Sequence, residues 1–400
     1  MRKCLFWGLI LLSGFWLSGC VNTHKEFSLQ IQHDLLTETW PNNINIHPER
    51  WTRHADSWFL AAEPNQAERA NRHSPFSRAI STMEVKVPNF SAIRVDGTFT
   101  VQLFGGVDHN SVFVYGPNAE VRKVAVDMRN GTLCVYQIPG SAGYLRHTII
   151  RIGVHNLKSL TNLGPGLVEG RQLSSSGLQV YSRGSGDILL SGNLLLRRVV
   201  SSDSGDIIIL GIASPAVTIK MYGSGDVNLS GRVGVRSIYH AGWGNLNIIG
   251  ADSSSLYINA CNSAMITIVG CVNLRVVEAS NDARIYLYSV RSQRLRVSTH
   301  DHACVGLAGY AHILHVDTHG ASGFDGQYLS ANTVYARAYD TSHANVSATN
   351  KAFAMAVQNS SIYFFGSSSV LSKYQTDNGS IMTLSRTRRF APPSLCQGLC

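Results

Sequence analysis

The sequence predicts an all-β fold, a single-chain parallel β-helix of about a dozen coils that stack as a solenoid behind a non-repeating N-terminal β cap. The first observation is a phrase that recurs at 184–187, 204–206 and 223–226, reading Gly-Ser-Gly-Asp, Ser-Gly-Asp and Gly-Ser-Gly-Asp. The second is its period, since the three aspartates are spaced by 19 and 20 residues. A fixed period of this length is typical of stacked repeats, which bury their apolar sides only against their neighbours.

We call the position of these aspartates the corner position, because the residues around it favour a tight turn. The residue before it is small in every clear coil, and the residue after it is aliphatic or β-branched. The column continues at Leu167, Met265, Arg284, Cys304, a rung near Gly323 or Phe324, Asn345, Ser361 and Ser380. The predicted structural corners are Gly186, Asp187, Gly205, Asp206, Gly225, Asp226, Gly244 and Asn245.

Each coil is predicted to contain two short strands, one on either side of its corner. Segments 188–190 and 207–209 follow a corner, and 178–180 and 217–219 precede one. Coils stacked about 4.8 Å apart form parallel sheets around a narrow core, and parallel crossovers are nearly always right-handed. The alternative is an antiparallel sandwich with regular turns, which does not explain why corner residues are alike from coil to coil.

The first twenty residues predict export and a lipid anchor. A basic pair at 2–3 precedes an apolar run, 5–16, that is too short to span a bilayer comfortably. The run ends in Leu-Ser-Gly-Cys at 17–20, which resembles the lipobox of bacterial lipoproteins. The resemblance implies a signal peptide at 1–19 and a mature chain that begins at Cys20, carrying acyl chains such as palmitate. The alternative is an ordinary signal peptide with a coincidental cysteine.

The residue after that cysteine indicates which membrane holds the anchor. Val21 stands where an aspartate is the usual signal for retention in the inner membrane. The expected location is therefore the outer membrane of a Gram-negative cell, with the membrane as a partner through the N-terminal lipid.

The residues before the repeats show strand patterns without the recurring corner phrase. Strand-like runs occur at 92–95, 99–103 and 112–114, and Asn130-Gly131 between two apolar runs is a two-residue hairpin signal. The predicted segments are a tether with some helix at 20–85, the cap at 86–160, the repeats at 161–384 and a basic tail at 385–400.

The cysteines predict one disulfide. Export to the envelope permits disulfides. Cys396 and Cys400 enclose a very short loop in the tail and are the best candidate pair. Cys261, Cys271 and Cys304 occupy different columns of the repeat, so we expect them to be unpaired core or corner residues.

The cap and the first coils resemble a known bacterial family. Phe-Ser-Ala-Ile-Arg-Val-Asp-Gly at 90–97, Val-Gln-Leu at 101–103, Asn-Gly-Thr-Leu at 130–133 and the Gly-Ser-Gly-Asp corners are similar to the family named putative autotransporter adhesin, head GIN domain. The resemblance covers about 88–250 and implies a β-helix shaped like the pectin lyases but without their catalytic residues. It implies an adhesion role by analogy, and it brings no catalytic residue and no cofactor.

Two clusters of polar residues are candidates for a chemical site. Asp187, Asp206 and Asp226 form a column whose neighbours lie about 5 Å apart, a spacing compatible with a retaining glycosidase or a Ca²⁺ site. We expect a structural role instead, because an aspartate at a tight corner accepts hydrogen bonds from turn amides. No mixed set of acid, base and cation recurs at one coil, so the sequence predicts no catalytic residue and no enzyme.

The second cluster contains histidines near the corners of adjacent coils. Two imidazoles and a carboxylate can bind Zn²⁺, but His302 and His343 are two rungs apart in this register, roughly 10 Å. We therefore expect solvated corner histidines and no metal. The cluster comprises His300, Asp301, His302, His319 and His343.

Charge and composition leave three classes of function open. The formal net charge is +9, with charged residues at only 15%, and no nucleic-acid motif is present. A basic exported protein is attracted to anionic lipid, lipopolysaccharide or acidic glycan, and the alternative is that the charge serves general solubility. The first hypothesis is a non-catalytic binding or adhesion module for a glycan or an envelope protein. The second is a structural subunit of an envelope assembly of the secretion type, and the third is a polysaccharide-active β-helix enzyme. Aromatic side chains in one outward column would favour glycan binding.

Overall fold

The structure is a computed structural model that describes residues 80–141, 143–366 and 370–384. The predicted signal peptide 1–19, Cys20, the tether before Ile80 and the tail 385–400 lie outside the described residues. Strands dominate, and the single described helix, α1 (Asn118–Val121), has four residues. No helix in the described ranges is long and apolar enough to cross a membrane.

The cap is a mixture of antiparallel and parallel strands. Its strands are β1 (Ile80–Val85), β2 (Ala92–Asp96), β3 (Thr100–Phe104), β4 (Ser111–Pro117), β5 (Val124–Arg129), β6 (Thr132–Gln137), β7 (Ile149–Gly153) and β8 (Ser159–Asn162). β5 and β6 form the predicted hairpin, with Asn130 at φ 50° and Gly131 at φ 73° between them. β4 pairs antiparallel with β1 and β7, which covers the end of the parallel sheet.

One boundary of the cap differs from the prediction. The sequence assigned 80–85 to the tether, whereas the structure places these residues in the cap as β1. The reason is backbone pairing, because β1 lies antiparallel to β4 from Ile80 opposite Pro117 to Val85 opposite Val112. β4 is distant from β1 in the sequence, so this pairing leaves no local sequence pattern at 80–85.

The repeats form long strands, one to a coil, and each strand is bent within its length. They are β9 (Val168–Ser182), β10 (Ile188–Ser201), β11 (Ile207–Met221), β12 (Val227–His240), β13 (Asn245–Ala260), β14 (Met265–Ala279), β15 (Arg284–Thr299), β16 (Cys304–Thr318), β17 (Gly323–Ala338) and β18 (His343–Val357). The last coils are made of the shorter β19 (Ser361–Phe365), β20 (Val370–Thr376) and β21 (Ser380–Leu384).

Every coil pairs in parallel with the next, which confirms the predicted parallel solenoid, of about twelve turns. β2 pairs with β6 and β8, and β3 with β7 and β9, so the cap is continuous with the first coil. The residues just after the corners form a buried inward column: Val168, Ile188, Ile207, Val227, Leu246, Ile266, Ile285, Val305, Phe324, Ala344, Ile362 and Ile381. The right-handed sense of the coil stays a prediction.

One rung of the predicted column is wrong. The spacing predicted Asn345 at the corner position, but Cys304 pairs with Gly323 and Gly323 pairs with His343. Small and aliphatic residues alternate here, so two registers that differ by two residues fit the same pattern. The backbone pairing selects His343.

A second bend divides each long strand, and sequence analysis missed it. The pairing register shifts in mid-strand, for example between Ser191 and Leu194 against β11. Gly211 (φ 76°) and Gly250 (φ 79°) occupy this bend in the left-handed region, where a side chain would be strained. A column of glycines spaced by 19 or 20 residues is the signal that identifies it.

Candidate functional site: the corners and the aromatic face

The aspartates of the recurring phrase form a ladder of hydrogen bonds between coils. The Asp206 N–H donates to Asp187 Oδ1 at 2.9 Å, and the Asp226 N–H donates to Asp206 Oδ1 at 2.8 Å. Asn245 ends the ladder, since its N–H and its side-chain Nδ2 both donate to Asp226 Oδ1, at 2.7 and 3.1 Å. Each carboxylate is therefore occupied by the backbone of the next coil, which is a structural role.

Burial and neighbouring charges shift the pKa of the central aspartate of this ladder, Asp206. Burial raises the pKa of the Asp206 carboxyl, and the neighbouring charges of Asp226 and Asp187 raise it further, while the Asp226 N–H opposes them. The ladder therefore carries a cost in like-charge repulsion that its hydrogen bonds offset.

The corner glycines are required by the close approach of neighbouring coils. A Cβ at Gly205 would lie 2.3 Å from the carbonyl oxygen of Gly186, and one at Gly186 would lie 2.1 Å from the oxygen of Gly166. Gly225 and Gly244 are equally close to the previous coil. These positions exclude any side chain because backbone, not a flexible side chain, occupies the space.

The inward side of the early corners is held by buried polar side chains that sequence analysis did not single out. Asn162 Nδ2 donates to the carbonyl oxygens of Gly166 and Gly186, both at 3.0 Å. In the same column His240 contacts the Gly244 carbonyl through Nε2 at 2.7 Å and accepts from the Gly242 N–H at Nδ1. The hydrogen therefore resides on Nε2, and burial lowers the pKa of His240.

Two histidines of the predicted cluster take part in ring stacks. His300 and His319 stack with ring centroids 5.0 Å apart and planes within 7°, and His319 stacks on Tyr339 at 4.6 Å. Burial lowers the pKa of His319, and His300 lowers it further. Across the described ranges no three His, Cys, Asp or Glu side chains converge to hold a metal ion. His302 is exposed and His343 packs over Gly323.

One cysteine expectation is wrong. Cys271 is disulfide-bonded, whereas the sequence predicted an unpaired residue. The surroundings of the cysteines differ. Cys271 is only partly buried and lines an open groove of about 580 Å³ between β11 and β15. Cys134, Cys261 and Cys304 are buried. The predicted Cys396–Cys400 pair lies outside the described residues.

Aromatic side chains gather on the outward side of the strand segments that precede the corners, a surface we call the aromatic face. Its first part lies at β11–β13, where the Tyr222 and Tyr239 rings have centroids 5.6 Å apart and a tilt of 51°. The rings are open to solvent, since Trp243 at the adjoining corner is 64% exposed and Tyr257 is 49% exposed. We call Tyr222, Tyr239, Trp243 and Tyr257 the open aromatic patch.

The same sheet face continues toward the C-terminal coils. The outward column of Tyr257 passes through Val276 and Arg296 to His315, Tyr335 and Phe353. There the rings stack edge-outward, with centroids 4.7 Å apart for His315 and Tyr335 and 4.9 Å apart for Tyr335 and Phe353. The aromatic face was not identified from the sequence, although the spacing of 20 and 18 residues between these rings is a usable signal.

The sequence model described as "Putative auto-transporter adhesin, head GIN domain" matches residues 89–276 and again 269–368. No curated protein matches the chain.

Several solved structures are similar to this chain at low identity. A putative adhesin from Bacteroides fragilis is 15% identical, with a TM-score of 0.25 and coverage of 77% of this chain and 98% of that one. A putative lipid binding protein from Parabacteroides distasonis is 13% identical, with a TM-score of 0.27 and coverage of 76% and 96%. A putative adhesin from Parabacteroides merdae is 13% identical, with a TM-score of 0.25 and the same coverage.

Proposed function

This chain belongs to the putative auto-transporter adhesin, head GIN domain family, and from that premise we propose that it is a non-catalytic, adhesin-type module of the cell envelope that binds glycan through the aromatic face. The single observation that carries the choice of ligand is the open aromatic patch. A pyranose ring presents a face of C–H groups that packs on an aromatic ring, while its hydroxyl groups take hydrogen bonds at the ring edge.

The arrangement of the patch fits an extended chain of sugars. Tyr222, Tyr239 and Tyr257 come from three successive coils, which lie about 4.8 Å apart. Asn259, a polar residue, follows Tyr239 in the same outward column. Aromatic area with a few polar groups and an open surface suits a polymer better than a small enclosed ligand.

Loss of the patch is expected to abolish glycan retention without unfolding the protein. The detergent-solubilised full chain is run through gels that contain single polysaccharides, and migration is compared with that of Tyr257→Ala/Trp243→Ala. The matched control is Tyr144→Ala, since Tyr144 is 68% exposed but lies in the cap. If no polysaccharide retards the wild type, or if the double variant is retarded as strongly, the proposal is wrong.

The proposal includes an anchor in the outer membrane through lipid on Cys20. It is supported by the lipobox-like 17–20 and by Val21, and acyl chains rather than a spanning helix would hold the protein. Metabolic labelling with an alkyne fatty acid is expected to mark the wild type and not Cys20→Ser, which should leave the outer-membrane fraction. A labelled Cys20→Ser protein would contradict the anchor.

The last part of the proposal is that the protein does not cleave polysaccharides. The carboxylates of Asp187, Asp206 and Asp226 accept backbone hydrogen bonds, so none is positioned with a free base or cation beside it. Incubation with pectin, alginate, chitin and peptidoglycan is expected to release no product. Product release that is lost in Asp206→Asn would establish an enzyme, and recovery in a large detergent-stable complex without glycan binding would favour an envelope subunit.

A further inference from the structure

Positive charge accompanies the second part of the aromatic face. In the column of the stacked rings, Arg296 pairs with His315 on the next coil. Two residues before this column, Arg294 lies on β15 and Lys351 on β18, in one outward column. Two residues after it, Arg337 follows Asp317. We call Arg294, Arg296, Arg337 and Lys351 the basic segment.

Negative charge on this part of the face is sparse. Asp317 lies 3.7 Å from Arg337, measured between Oδ1 and Nε, so these two charges offset each other. The corner carboxylates Asp301 and Asp340 accept backbone N–H bonds of the preceding coil, from Asn281 and Gly320. These carboxylates keep their negative charge, as does the exposed Glu278, which lies in the column of Asp317 two coils earlier. The column of Arg294 and the column of the stacked rings contain no acidic residue from β15 to β18, and Arg294, Arg296 and Lys351 are exposed there.

The cations converge on the stack itself. Burial lowers the pKa of His315 most, the charges of Arg296, Arg294 and Arg337 lower it further, and the charge of Asp317 opposes them. Arg296 lies beside His315 on the preceding coil, so an anionic group that reaches the ring stack also reaches a cation.

We propose that the ligand of the aromatic face is an acidic polysaccharide, whose sugar rings pack on the open aromatic patch while its carboxylate or sulfate groups contact the basic segment. This inference rests on the proposed glycan-binding function and names its substrate class. Both parts belong to one sheet face, because the outward column that contains Tyr257 also contains Arg296 and His315. Tyr257 and His315 are three coils apart, or about 14 Å, which an extended polymer of a few sugars spans.

The alignment of the cations with the rings favours a glycan over a membrane surface. The stacked rings lie in one outward column, and the basic segment lies in that column and in the columns on either side of it, so rings and cations both follow the coil stack. A linear anionic polymer matches this arrangement, because its charged groups can contact cations from different coils along the stack. Exposed ion pairs are individually weak, so affinity requires several of them and is sensitive to salt.

A pair of polymers with one backbone tests the inference. Polygalacturonate and its fully methyl-esterified form are compared as ligands of the detergent-solubilised full chain by affinity electrophoresis at low and at physiological salt. We expect the acid form to bind at least tenfold more tightly than the ester, and salt to reduce this preference. Arg294→Gln/Arg296→Gln/Lys351→Gln should lose the preference and keep binding of the ester. Arg232→Gln, an exposed arginine beside the groove at β11–β15, is the matched control and should bind both polymers as the wild type does.

Each other outcome has a defined meaning. Equal binding of the two polymers, with dependence on Tyr257 and Trp243, overturns the acidic class and leaves glycan binding intact. Binding of neither polymer, nor of alginate and chondroitin sulfate, overturns both proposals. Acid-selective binding that survives the triple substitution, or is lost in Arg232→Gln, overturns the assignment to the basic segment. Binding to vesicles of anionic lipid without binding to any acidic polymer replaces the glycan with a membrane surface.

Discussion

The early and late corners of the solenoid reach the same stacking by different chemistry. In the corners at 184–187, 204–206 and 223–226, coils approach so closely that glycine is required, and the backbone there stays outside the left-handed region. In the later corners Asn262, Asn281 and Asp301 have φ values of 62°, 59° and 62°. These later corners are turns closed by their own hydrogen bonds, such as Ala303 N–H to His300 C=O at 3.1 Å.

The hydrogen-bond ladders of the two regions also run in opposite directions. In the early region a backbone N–H donates back to the aspartate of the preceding coil, as Asp226 does to Asp206. In the late region the N–H donates forward, as Gly320 does to Asp340 and Asn281 to Asp301. The difference teaches that the corner N–H groups of the solenoid need hydrogen-bond acceptors. A carboxylate on either the preceding or the following coil can be that acceptor.

The largest effect is expected where a side chain is forced into an early corner. Gly205→Val should lower the free energy of unfolding by about 2 kcal/mol or more, because its Cβ would collide with the Gly186 carbonyl. Ser204→Ala in the same corner is exposed and should change little. The late counterpart, Ala303→Gly, should cost about 1 kcal/mol. Chemical denaturation of the three variants measures the contrast, and a Gly205→Val protein as stable as the wild type would contradict it.

Removal of a ladder acceptor is expected to have the next largest effect. Asp226→Ala leaves the Asn245 N–H and Nδ2 without their acceptor and should cost about 1 to 2 kcal/mol. Asp252→Ala is the control, since Asp252 forms an exposed ion pair with Arg232 away from the corners. Equal melting temperatures for the two variants would show that the ladder contributes nothing.

A late corner should tolerate glycine and reject a β-branched residue. Asn281→Val places a branched side chain at φ 59° and should cost about 1 kcal/mol. Asn281→Gly fits this φ and loses only the Nδ2 bond to Asn262, so it should cost less. The reverse order of stability, measured in urea, would mean that the side-chain bond and not the backbone angle governs this corner.

The smallest effect concerns pH and a single early corner. Burial lowers the pKa of His240 in the folded protein, so below about 6.5 the unfolded chain binds more protons than the native one. Its contribution to stability is therefore fully present above that pH and is lost as pH falls. His240→Met, which copies Met221 of the preceding coil, should flatten the decline in stability between pH 7 and pH 5. An unchanged slope would exclude His240 as its source.

Most of the early region followed from the sequence, and the late region followed less well. Glycine and aspartate are chemically distinctive, so their repetition identified the corners through Asn245. In the late region the corner position is occupied by unrelated residues such as Met265, Arg284 and Cys304, and small and aliphatic residues alternate near 343–346. Asn345 was therefore taken for the corner in place of His343. The two separate matches of the family, which meet at 269–276, divide the chain close to the change in corner chemistry.

The sequence by itself determined the parallel solenoid, the early corners and the family, because these depend on local turns repeated at a fixed period. The tertiary structure decided the pairing of β1 with β4, the disulfide of Cys271 and the aromatic face. The β1–β4 pairing and the aromatic face depend on which strands become neighbours and which side of a strand faces outward. The columns that join Tyr257 to His315 and Phe353 arise only when about 20 residues of chain return to within one strand spacing.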